Sequence, residues 1–105
     1  MSHENDDPSI AEETIEGIAP LRLRFRPIEY NGTSYSALVL REPTADDLLK
    51  ADEKKQPMEQ AVMLLQMVTG LPAIVVRKLP QSVFLRASEY FAPFTPPSPE
   101  NAGGA

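Results

Sequence analysis

Apolar and polar residues alternate along residues 21–26, with Leu21, Leu23 and Phe25 on one side and Arg22, Arg24 and Arg26 on the other. A two-residue period of this kind marks a half-buried antiparallel strand. A second apolar run, Ala37 to Leu40, stops at Glu42-Pro43, because proline removes a ladder donor and restricts the residue before it. Asn31-Gly32 lies between the runs, and both residues tolerate the positive φ of a two-residue type I′ turn, so the pattern predicts a β-hairpin. With Tyr30 opposite Thr33, the register sets Phe25 against Leu38 and Leu23 against Leu40, all on one face. Pro27 breaks the first strand and predicts an edge position or a bulge nearby.

Beyond the hairpin the period changes to that of helices. Thr44 is placed to cap a helix over about Ala45 to Asp52, its hydroxyl accepting from the amide of Asp46 or Asp47, with both carboxylates at the favourable end of the helix dipole. Pro57 suits the first position of a second helix reaching about Thr69, Gly70 suits its end, and Pro72 prevents continuation. Residues 73–79 read as a brief third helix or as an extended stretch, since Ile74, Val75 and Val76 fit either. A last helix is predicted from near Pro80 to about Ala92, where Val83, Phe84, Ala87, Tyr90 and Phe91 recur at helical steps and Pro93 ends the run. The fold class is therefore α+β: one small domain with an N-terminal β-hairpin packed with three or four short helices.

The ends of the chain have a different composition. Residues 1–19 are acidic and poor in apolar residues, which predicts a disordered arm with at most a short helix over residues 10–16. The body is expected over residues 20–94. Residues 95–105, rich in proline and then glycine, are expected to form a disordered tail. A body this small is marginally stable, so a partner or self-association would add to its stability.

The formal net charge of -5 changes this picture little, because Glu4, Asp6, Asp7, Glu12, Glu13 and Glu16 all precede the first basic residue, Arg22. The body itself is nearly balanced, which argues against general binding to nucleic acid. There is no cysteine, and the single histidine, His3, has no second imidazole with which to share a metal. With that histidine in a polar tail as the sole imidazole, a nucleophile-base pairing is not expected, and the few scattered glycines do not form a phosphate loop. Asp46 and Asp47 are adjacent, so on a helix they point about 100° apart and converge poorly on a metal or a substrate; capping explains both. No catalytic site, metal or cofactor is expected. No apolar run approaches the roughly 20 residues that span a bilayer, and the N-terminus lacks the basic and apolar blocks of a signal peptide, so a cytoplasmic protein without membrane contact is expected.

Two features suggest binding. The second helix is apolar nearly all round: Met58, Ala61, Val62, Leu65 and Val68 form one face, while Met63, Leu64 and Met67 fall largely outside it. Either the helix is central to the bundle, or its surplus face, extended by Phe91 and Phe94, adapts to apolar segments of a partner. Likewise Arg22, Arg24 and Arg26 form a solvated sheet face, a dock for an acidic partner, or a contact for the chain's own acidic arm.

Gly32-Thr33-Ser34-Tyr35, then Arg41-Glu42-Pro43-Thr44, the Asp-Leu helix start at Asp47-Leu48, Thr69-Gly70-Leu71-Pro72 and a final aromatic helix occur in one order. Over roughly residues 20–94 this order resembles the tail assembly chaperones of P2-like and Mu-like contractile-tailed bacteriophages. Members often carry an acidic residue early in the last helix; here Gln81-Ser82 occupies that region, so no role for such an acid transfers. The resemblance implies a non-enzymatic chaperone in the host bacterial cytoplasm that binds the tape measure protein, helps recruit tail tube protein and is absent from the mature virion. It also implies a frameshift-extended form of the same chain, for which residues 96–105 would suit a junction. Without the resemblance, a small adaptor or a minor structural tail subunit fits the same pattern.

Overall fold

The structure, a computed structural model, describes residues 9–94. The expected tail over residues 95–105 and the first eight residues of the expected arm lie outside the described residues. The hairpin is formed by β1, Leu21–Tyr30, and β2, Thr33–Leu40, which pair antiparallel as a two-stranded sheet. Asn31 and Gly32 have φ of 55° and 79°, as the turn chemistry requires. Four helices follow: α1, Ala45–Asp52; α2, Pro57–Thr69; α3, Ala73–Arg77; and α4, Gln81–Phe91, continued by a 3-10 turn over Ala92–Phe94. The α+β class stands as read from the sequence.

The register needs a correction. Tyr30 faces Thr33 and Ile28 faces Tyr35, but beyond the bulge Leu23 faces Leu38 and Leu21 faces Leu40. Phe25 therefore does not pair with Leu38. Proline cannot donate to the ladder, and the strand accommodates Pro27 with an irregularity between Arg24 and Ile28 that shifts the pairing by two residues. An even shift preserves the alternation, so Leu21, Leu23 and Phe25 still pack toward the core with Leu38 and Leu40.

The ambiguous stretch after Pro72 is helical. Val75 and Val76 are both fully buried while Ile74 is exposed, and Leu79 is buried with them. Neighbouring residues in a strand face opposite ways, whereas positions i, i+1 and i+4 share one side of a helix. The Val76 amide donates to the Pro72 carbonyl at 3.1 Å, which starts this single turn. Leu40, Leu65, Val75 and Val76 are the largest fully buried side chains. Around them Leu38, Ala51, Leu64, Val68, Leu79, Phe84, Ala87, Tyr90 and Phe91 complete the core.

The body also reaches back before residue 20. The Tyr90 hydroxyl donates to the Ala19 carbonyl at 2.9 Å, and the Ile18 amide donates to Glu42 Oε1 at 3.3 Å. Gly17 lies against Glu42 with φ 74°; a side-chain carbon there would stand 2.6 Å from that same oxygen and force the carboxylate aside. Residues 17–19 are thus fastened between the end of the hairpin and α4.

Candidate partner-binding surface

The segments with the most distinctive sequence are structural joints. Thr44 Oγ1 accepts from the Asp47 amide at 3.1 Å, and Asp47 Oδ2 accepts from the Thr44 amide at 2.9 Å, a reciprocal capping box at the start of α1. The same carboxylate oxygen accepts from Arg41 Nη1 at 2.8 Å, and Arg41 Nη2 reaches the Met67 carbonyl on α2 at 3.2 Å. Asp47 is the one buried charged residue among those described. Burial would raise its carboxyl, but the Arg41 hydrogen bond, the Thr44 amide, the Arg41 charge and the Thr44 hydroxyl outweigh that and hold it below the ordinary carboxylate value.

One guanidinium and one carboxylate thus join the hairpin exit, α1 and α2. Asp46, by contrast, is exposed, so the two aspartates diverge. At the far end of α2, Thr69 Oγ1 donates to the Leu65 carbonyl at 2.6 Å and accepts from the Leu71 amide at 3.2 Å, while Gly70 closes the helix. The reach from Arg41 to Asp47 was not legible in the sequence. The only local hint was the Thr-x-x-acid spacing, which marks a capping box.

A groove lies on the outer side of α2. Met58, Glu59, Val62, Met63 and Gln66 form one wall, Ala73 and Arg77 of α3 the other, and Lys54 stands at one end; the volume is about 540 Å³. Its lining is mixed, apolar at Met58, Val62, Met63 and Ala73 and polar at Lys54, Glu59, Gln66 and Arg77, and Met58 is 56% exposed. The residues expected to present a surface on α2 are placed differently. Leu64 is 5% exposed and belongs to the core, whereas Met58, expected on the packed face, points outward. The packed stripe is Ala61, Val62, Leu64, Leu65 and Val68, because α1, α3 and β2 all pack against this helix and turn it toward Leu64. Met63 is half-buried, touching the core and lining the groove, and Met67 is half-buried beside the Arg41 contact.

Phe91 is also a core residue, 5% exposed, with its ring 5.7 Å from Tyr90 in an edge-on arrangement. Phe94 is half-buried with its ring 6.3 Å from Tyr90. Arg22, Arg24 and Arg26 are all exposed and form no ion pair among the described residues; the arm's Glu12, Glu13 and Glu16 do not reach them. Among the described residues no cluster of potential ligands could hold a metal ion, and no helix is long and apolar enough to cross a membrane.

The described residues thus form a hairpin followed by four short helices, with a groove of mixed apolar and polar lining on α2 and α3. The family model for phage tail assembly chaperone proteins, E, or 41 or 14, matches residues 21–96, from the first residue of β1 to just past α4. The chain belongs to this phage tail assembly chaperone family. No curated protein and no solved structure matches it.

Proposed function

We propose that the protein acts without catalysis as a tail assembly chaperone in the host cytoplasm, holding the tape measure protein during tail building and helping to recruit tail tube subunits before leaving the finished particle. The observation that supports this reading most is the family match over residues 21–96, joined to an open groove on α2 and α3 with Met58, Val62, Met63 and Ala73 in its lining. A long helical client exposes apolar stripes that aggregate unless covered. A groove lined in part by Met58, Val62, Met63 and Ala73 suits the helix-in-groove mode of recognition, and flexible methionines let it accept successive turns of different sequence. Met67 and Phe94, half-buried and outside the groove lining, offer further apolar contacts, while Arg22, Arg24 and Arg26 offer a separate charged contact for acidic stretches of a partner. A frameshift-extended form of the chain would carry the same groove on a longer protein.

The test is co-expression of the chain with the tape measure protein of the same phage, followed by affinity capture. Met58→Asp places a charge in the groove lining at an exposed position outside the core cluster, so its far-UV circular dichroism and thermal midpoint are expected to match the wild type. Capture is expected to weaken by roughly tenfold or more, as when an interface anchor worth over about 1.4 kcal/mol is lost. Equal capture by both proteins would move the contact off this groove, and no capture by either would remove the tape measure protein as client.

A further inference from the structure

We propose that the groove on α2 and α3 receives the acidic N-terminal arm of a second copy of this chain. The arm is apolar and acidic at once. Ile15 is 80% exposed and Ile10 51% exposed, with Glu12 and Glu13 between them and Glu16 following. No lysine or arginine occurs before Arg22. The groove is its complement: Met58, Val62, Met63 and Ala73 supply apolar lining, Lys54 and Arg77 supply two cations, and Glu59 is its single acid beside Gln66. Lys54 and Arg77 are exposed, and neither forms an ion pair among the described residues. Ile15 and the half-exposed Ile10 would gain apolar cover in this groove, and the glutamates beside them would meet the two cations.

The anchoring of residues 17–19 favours a second copy over the arm's own groove. Glu42 and Tyr90 hold Ile18 and Ala19 at the hairpin end and α4, and from that root residues 9–16 stay exposed and none of them lines the groove of their own chain. Exchange between two copies closes as a symmetric pair, each arm in the other's groove. This does not depend on the identity of the client, although a client helix would compete with the arm for the same groove.

The absence of cysteine allows a direct test in the full chain. Thr14→Cys, an exposed position, gives a single attachment point for a nitroxide. Unlabelled nitroxide-bearing protein is mixed with ¹⁵N-labelled wild type, so that any paramagnetic broadening in the labelled copy comes from another molecule's arm. The expected result is selective loss of the Val62, Met63 and Ala73 amide signals, and its disappearance when the ¹⁵N copy carries Lys54→Glu and Met58→Asp. Unbroadened groove signals in the mixture would overturn the proposal. So would broadening that survives the groove substitutions, or broadening found only when nitroxide and ¹⁵N share one chain, which would place the arm in its own groove.

Discussion

Replacing Leu65 by alanine is expected to cost about 3–5 kcal/mol, the range for deleting a large aliphatic side chain from a core that cannot collapse around the gap. Leu65 is 2% exposed, in the middle of α2, the helix that β2, α1 and α3 pack against. The described residues form one small body, and domains hold only about 0.05–0.15 kcal/mol per residue of net stability, so the loss removes a large part of the total. Urea titration reads the effect as a lower midpoint at unchanged slope. Leu49→Ala serves as the control, since Leu49 is 66% exposed and is expected to change stability by under about 0.5 kcal/mol. A Leu65→Ala midpoint near that of the control would contradict the packing described.

Asp47→Ala is expected to destabilise by about 2–4 kcal/mol, because it removes the reciprocal cap and the charge-assisted bond to Arg41 together. The cost stays below that of splitting a fully buried pair because the Arg41 side chain, 43% exposed, retains water when the carboxylate is gone. The pH dependence follows from the direction of the shift. Asp47 titrates below its ordinary value of 3.8 in the folded state, so near and below that value the unfolded chain binds the proton more readily. Its contribution is therefore complete above the ordinary carboxylate value and is lost as pH falls through the lowered folded value. Urea unfolding of wild type and Asp47→Asn across this range should show a stability gap that is constant at higher pH and closes under acid. A gap that widened on acidification would reverse the assignment.

The residues that carry the family resemblance do mechanical work in the fold. The Arg41 to Asp47 segment and the Thr69 to Pro72 segment cap, clamp and terminate helices, and Arg41 connects the first to α2 through the Met67 carbonyl. Such features are legible because caps, turns and proline stops depend on residues a few positions apart. The Asn31-Gly32 turn, the Thr44 cap and the Pro57 start could all be placed for that reason. The register beyond Pro27 could not be, because sequence alone does not say how many residues a bulge absorbs. The face of α2 is legible at Ala61, Val62, Leu65 and Val68 but not at its edges: a helix apolar nearly all round has no polar stripe to fix its rotation, and only the packing of α1, α3 and β2 decides that Leu64 turns inward and Met58 outward. The anchoring of Ile18 and Ala19 was equally hidden, since it joins residues 24 and 71 positions apart. The groove spans two helices, and nothing local in the sequence announces that Ala73 and Arg77 face Met58 and Val62.

A chaperone and a minor tail subunit with the same fold differ in where the protein ends up. Quantitative mass spectrometry of cells producing the phage, compared with the purified virions, measures this directly. The expected result is that the chain co-purifies with the tape measure protein from the producing cells and is missing from the virions. Its presence in virions in fixed stoichiometry with the tail proteins would contradict the chaperone reading and make it a structural component.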